Sequence, residues 1–217
     1  MKRREFSLLP LAGLGGLVAG SALPGLAQAQ ATPVEGQQYT RLAQPVPVPA
    51  SGKIEVVEFF WYGCPHCFAF EPAIGPWSKK LPADVSFRRV HVAFDALKER
   101  HQKMYYALEA IGAVEQMHAK VFNRFHVEHK PLNTEADIVA FMAANGVDKA
   151  KFEAAMGSFG VTTKMRQAKQ MSEAFRIDSV PTIGIQGRFT TSPAQGGSAD
   201  GALLVANYLI AQVRKGA

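Results

Sequence analysis

Apolar positions change their spacing several times along this chain, and the changes mark out its parts. From Leu8 to Leu26 they run almost unbroken behind Lys2, Arg3 and Arg4, and Ala27-Gln28-Ala29 then supplies small residues. A basic start, an apolar middle and a small-residue cleavage site predict a secretory signal over residues 1–29. Pro10, Pro24 and several glycines inside the run make it a poor membrane-spanning helix. Arg3-Arg4-Glu5-Phe6 also resembles the twin-arginine export pattern, so both the Sec and the twin-arginine routes stay open. Gln38–Leu42 reads as a short edge strand, and Pro45-Val46-Pro47-Val48-Pro49 as a stiff extended connector. Ile54 to Trp61 crowds β-branched and aromatic residues into a stretch too short for an ordinary helix and stops at Gly63, as a buried strand does. Its alternate positions Ile54, Val56, Glu58 and Phe60 share one face, which sets a carboxylate among apolar side chains.

Helical spacing follows, with Phe68, Ile74, Trp77 and Leu81 as core positions and Pro72 and Pro76 expected to kink or break the helix. Val85–Phe94 is the next strand, with His91 expected as a core histidine. No convincing strand occurs from Asp95 to Phe175. Helices are expected instead over Leu97–Ile111, Val114–Val127, Thr134–Asn145, Lys149–Gly157 and Val161–Phe175. Thr134-Glu135-Ala136-Asp137 resembles a capping box, and Gly112 and Gly146 sit where helices should stop. Met104, Tyr105, Leu108, Phe122, Phe125, Phe141 and Met142 are expected to form the core of this block. Ile177–Arg188 restores a strand, Gly187 turns the chain into Phe189-Thr190, and Ala199–Val213 closes with a helix. Beyond the leader, residues 30–94 and 176–217 thus make one α/β unit interrupted by the helical block 95–175.

Composition adds modest constraints. Removing the leader leaves about 188 residues, enough to bury a sizeable core. The formal charge of +6 falls to about +4 once Lys2, Arg3, Arg4 and Glu5 leave. No basic stripe interleaves with aromatics, so no nucleic-acid partner is expected.

The chain has two cysteines, Cys64 and Cys67, at the junction of the apolar strand and the following helix. Export places the protein in the periplasm or beyond, where disulfides persist, and two cysteines are too few to staple a scaffold. Pro65 suits the first helical position, which makes Cys64 the N-cap and Cys67 its partner one turn in. Unpaired backbone N–H groups, the helix dipole and the neighbouring His66 all favour a thiolate on Cys64, so Cys64 should be the reactive sulfur and Cys67 the buried one. A zinc site completed by His126 and His129 matches no standard ligand spacing. Covalent haem needs a histidine directly after the second cysteine, where Phe68 stands. A structural disulfide would close only a four-residue loop and stabilise little. No metal and no cofactor are expected.

The segment Val57-Glu58-Phe59-Phe60 followed by Cys64-Pro65-His66-Cys67, with Val180-Pro181-Thr182 far downstream, resembles the DsbA family of periplasmic disulfide oxidases, in the thioredoxin superfamily. The resemblance implies a thioredoxin-like fold with an inserted all-helical subdomain capping the active site. It implies an oxidase that donates the Cys64–Cys67 disulfide to unfolded or reduced exported polypeptides and is reoxidised by a DsbB-type quinone-linked membrane oxidase; a monomer is expected. It also implies a cis Val180–Pro181 bond facing the cysteines, with the Val180 backbone free to pair with an extended substrate. Phe60, Trp61, Tyr62 and Val180 would supply an apolar patch for such chains. In the family a lysine on the next strand pairs with the buried glutamate. Here Arg89 stands in its place, and arginine holds a carboxylate ionised but cannot shuttle its proton. Glu58 is therefore either a proton partner of Cys67 or a satisfied structural ion pair. A reductase or isomerase would share the fold, and a chaperone-like binder would use the same patch with idle thiols.

Overall fold

The apolar stretch that the chain is built on forms strand β2, Ile54–Phe60, buried along nearly its whole length. The computed structural model describes residues 32–49 and 52–216, so the expected leader lies outside the described residues. Around β2 stand β1 (Thr40–Arg41), β3 (Val85–His91), β4 (Thr182–Ile185) and β5 (Phe189–Thr191), in the order β1-β5-β4-β2-β3. The β2–β3 pair is parallel and the other pairings are antiparallel, giving a mixed sheet. Glu58 falls opposite Arg89 in the parallel register.

Helix α1, Pro65–Ser78, joins β2 to β3 and runs through both Pro72 and Pro76. The break expected there does not occur. The two prolines are four residues apart on the exposed face, where their rings meet no packed neighbour and the buried face of the helix is left intact. Strand β3 also stops earlier than expected, at His91. The helical block comprises α2 (Ala96–Ala110), α3 (Val114–His126), α4 (Glu135–Ala144), α5 (Lys149–Met156) and α6 (Phe159–Ala174), all between β3 and β4. Thr134 and Asp137 form the reciprocal capping box at the start of α4. The single strand expected over Ile177–Arg188 is instead a loop followed by a hairpin. Gln186 and Gly187 take φ of 51° and 61° to turn it, and a Cβ on Gly187 would run into the Val46 carbonyl. Gly187 O in turn accepts from Val46 N at 2.7 Å, which ties the proline-rich connector to the sheet. A short α7 (Pro193–Gly196), not foreseen, precedes α8 (Ala199–Arg214).

Two buried clusters hold these layers. Val56, Ile183 and Ile185 of the sheet pack with Phe70 and Ile74 of α1 and Leu209 of α8. Val57, Phe59 and Phe60 pack with Leu108 of α2, Phe122 of α3, Met142 of α4, Phe152 of α5 and Val161 of α6. The helical block was expected to have its own core, but its apolar faces close onto β2. The reason is shape: these helices of 8 to 16 residues leave apolar side chains that they do not cover among themselves, and the sheet supplies the missing wall.

Candidate functional site

Cys64 caps α1 with extended backbone angles (φ −84°, ψ 117°), and Pro65 follows at the first helical position. Both cysteines are free thiols and both are buried, Cys64 at 7 % exposure and Cys67 at 0 %. Pro65 and His66 are exposed beside them. The Cys64 Sγ lies 3.4 Å from the Val180 carbonyl, to which it donates while it carries its proton, and the Val180–Pro181 bond is cis. The loop before β4 is thereby brought against the start of α1.

The two sulfurs are electrostatically unequal. Donation from the Cys67 thiol, then from the backbone N–H groups of Cys67 and His66, with the charge of His66 assisting, outweighs burial and lowers the Cys64 pKa to about 6. Burial, and then the hydrogen bond and charge of Cys64, push Cys67 far above the ordinary thiol range, with a further upward contribution from Glu58. One sulfur is a thiolate at neutral pH and its partner keeps its proton.

Glu58 is fully buried, and Arg89 Nε donates to its Oε2 at 2.7 Å. Its Oε1 has no hydrogen-bond partner among the described residues. Burial dominates over Arg89 and, aided by the charge of Glu71, raises the carboxyl to about 7. Arg89 also reaches Glu71 on α1, Nη2 to Oε1 at 3.1 Å. From α3, His118 Nε2 stands 3.1 Å from the same Glu71 oxygen, while its Nδ1 is 3.0 Å from Tyr62 Oη.

Similarity to known proteins covers this whole arrangement. The family model described as Thioredoxin matches residues 50–200. The thiol:disulfide interchange protein DsbA of Pseudomonas aeruginosa is 41% identical over 204 residues, spanning 94% of this chain and 97% of the relative. That of Azotobacter vinelandii is 42% identical over 93% and 96%.

The chain belongs to the DsbA family.

The crystal structure of the Pseudomonas aeruginosa DsbA superposes with a TM-score of 0.82 at 43% identity, covering 84% of this chain and 95% of that one. The oxidoreductase DsbA of Xylella fastidiosa does so at 0.79 and 27% identity, over 85% and 99%. As a DsbA-family member the protein is a thiol:disulfide oxidoreductase with a thioredoxin-like fold that carries a helical insertion.

The apolar patch expected of Phe60, Trp61, Tyr62 and Val180 takes a correction. Phe60 and Tyr62 are fully buried, packed against Phe122 of α3, and offer no surface to a substrate. Large rings at the strand's end are drawn inward because the insertion covers them. Trp61 and Val180 remain partly exposed. Gly63 gives the Trp61 ring its place, since a Cβ there would fall within the indole. The indole Nε1 donates to His101 Nδ1 at 3.0 Å. His126, weighed above as a metal ligand, instead has Nε2 2.8 Å from the Tyr62 carbonyl and its ring stacked on Phe68.

Three residues of the site escape a reading of the sequence. Glu71 had a signal, because it stands one helical turn beyond Cys67. His101 and His118 had none, since nothing in their local pattern says which wall of the insertion faces the cysteines.

Proposed function

We propose that the protein is a periplasmic disulfide oxidase that donates the Cys64–Cys67 disulfide to newly exported, unfolded polypeptides. The observation that carries this is the unequal pair of sulfurs. A thiolate stabilised on Cys64 stabilises the reduced protein, and that makes the disulfide oxidising and Cys64 a good leaving group.

In the first step a substrate thiolate attacks the Cys64 sulfur. A substrate–Cys64 disulfide forms, the Cys64–Cys67 bond breaks, and Cys67 leaves with the electron pair. Buried as it is, that sulfur takes up a proton, and Glu58 supplies it when its carboxyl is protonated. A second substrate thiolate then attacks the substrate sulfur of the mixed disulfide and releases Cys64 as a thiolate. The substrate is oxidised by two electrons and the protein is reduced by two. Pro65 and His66 shape and polarise the Cys64 end of the helix, Pro181 keeps the Val180 carbonyl against the sulfur, and Trp61 and Val180 border the approach. The Val180 backbone pairs with the extended substrate. The helical block 95–175 acts as the cap over this site. The protein works as a monomer exported by residues 1–29, and a DsbB-type quinone-linked membrane oxidase restores the disulfide.

Alkylation of Cys64 followed against pH tests the reading, combined with equilibration in a glutathione buffer. A titration midpoint near 6 and accumulation of the reduced protein are expected; a midpoint near the ordinary 9.0 would point to a reductase or a structural pair. Cys64→Ser should abolish peptide oxidation while unfolded chains still bind. If oxidation survives that change, the assignment of the nucleophile is wrong.

A further inference from the structure

Four histidines among the described residues are buried or half-buried, and beside His126 on the Tyr62 carbonyl the other three have partners that differ in kind. His101 Nδ1 accepts from the Trp61 indole N–H, while its Nε2 lies 2.8 Å from the Leu132 carbonyl. An indole N–H only donates, so protonating Nδ1 would set two donors face to face. His91 Nε2 likewise accepts from the Tyr62 backbone N–H at 3.4 Å. Both rings are held neutral by what surrounds them. His118 is different, because its Nδ1 lies 3.0 Å from the Tyr62 hydroxyl and its Nε2 lies 3.1 Å from the Glu71 carboxylate, at ion-pair distance though not aligned as a hydrogen bond. A hydroxyl donates to a neutral imidazole and, after rotation, accepts from a charged one. A carboxylate welcomes either form.

With Glu58 ionised, the charges beside His118 do not balance without it. From β2 comes Glu58, from α1 Glu71, and from β3 Arg89, so two carboxylates share one guanidinium. The side chain of Glu58 is 0% exposed, that of Arg89 16% and that of Glu71 19%, where an unpaired negative charge is poorly solvated. Tyr62 from the β2–α1 turn, Tyr105 from α2 and His91 from β3 complete the surroundings, with Phe122 from α3 itself. Tyr62 and Tyr105 are held protonated by burial, and burial holds His91 neutral. Arg89 cannot release a proton. Among the described residues, the further imidazole that touches this cluster is that of His118, 12% exposed.

We propose that His118 is a positioning residue of the redox site: as the second cation of the Glu58–Arg89–Glu71 cluster, it sets how readily Glu58 holds a proton and, through Glu58, how readily Cys67 receives one. The proposal rests on the reading of Glu58 as the proton partner of Cys67. Protonated His118 neutralises the cluster and favours ionised Glu58; neutral His118 leaves an excess negative charge and favours protonated Glu58. The rate of disulfide donation then follows the charge on a ring that touches neither sulfur nor substrate.

The test is a pH titration of the Glu58 carboxyl by difference infrared spectroscopy, with the band identified by its loss in Glu58→Gln, run beside single-turnover oxidation of a dithiol peptide. His118→Asn, which keeps a polar side chain but removes the cation, should move the band's midpoint up by about half a pH unit or more, and the oxidation profile with it. His118→Lys, a fixed cation, should move both down. In the Glu58→Gln background neither substitution should alter the oxidation profile. Should Glu58→Gln itself leave that profile unchanged, the reading of Glu58 fails. Should Glu58→Gln change it while His118→Asn leaves band and profile within about 0.2 unit of the parent, the role of His118 alone is overturned. If His118→Lys does not fold, the His118→Asn comparison decides.

Discussion

At residue 64 the sulfur has three donors aimed at it, and the energetic consequence has a definite sign. The Cys64 pKa is depressed from 9.0 to about 6 in the folded, reduced protein. Between those limits the unfolded chain carries a proton that the folded one has lost, so stability rises with pH. The oxidised protein lacks that titration. The thermal midpoint of the reduced form is therefore expected to gain on that of the oxidised form from pH 6 to 9, and the gain should fade as pH drops through about 6; calorimetry of both forms across pH checks this. Glu58 runs the other way. Its pKa is raised from 4.5 to about 7, so the folded state binds the extra proton and stability is lost as pH climbs through that window. Glu58→Gln should leave the protein little changed near pH 4.5 but more stable than the parent above 7, by up to about 3 kcal/mol. Denaturant unfolding at the two pH values measures it, and equal stability increments at both would contradict the burial argument.

Among the elements, the turn between β2 and α1 has the least tolerance. Gly63→Ala places a methyl group where the Trp61 ring lies, so the indole must move and give up its bond to His101. A loss of about 1–3 kcal/mol is expected, with a red-shifted tryptophan emission as the reporting signal. Helix α4 offers the opposite case. Thr134→Ala removes the side chain that accepts from Asp137 N at 3.0 Å and should cost about 1 kcal/mol. Because this cap lies outside the redox site, the alkylation profile of Cys64 should not move. Helix α1 shows how an element survives against its own local preferences. Both internal prolines sit on the exposed face while Phe70 and Ile74 are buried, and tertiary packing of that buried face outweighs the two lost backbone bonds.

For the molecule as a whole, the shared core joins sheet and insertion into one cooperative body. Phe122 of α3 touches Phe60 and Tyr62 at ring separations of 6.1 and 5.0 Å. Phe122→Ala should cost about 3–5 kcal/mol and lower the transition seen by far-ultraviolet dichroism and by Trp61 fluorescence together; separated transitions would mean that the helical block folds independently. The helix boundaries of that block were legible in advance because caps, glycine stops and 3.6-residue spacing are local features that each segment states for itself. Cys64, Pro65, His66 and Cys67 were legible for the same reason: a strand end, a proline and two thiols lie within a few residues. Glu58 with Arg89 was half legible, since strand pattern placed the carboxylate inward and only the parallel register set the arginine opposite it. What the sequence determined by itself, then, was the chemistry of the cysteine pair and the succession of elements, both set by near neighbours. Tertiary structure alone decided that Phe60 and Tyr62 are core rather than surface, that the helices close onto β2, and that His118 meets Glu71. Each of these depends on which helix face meets which wall, and that is fixed by packing among segments far apart in the chain.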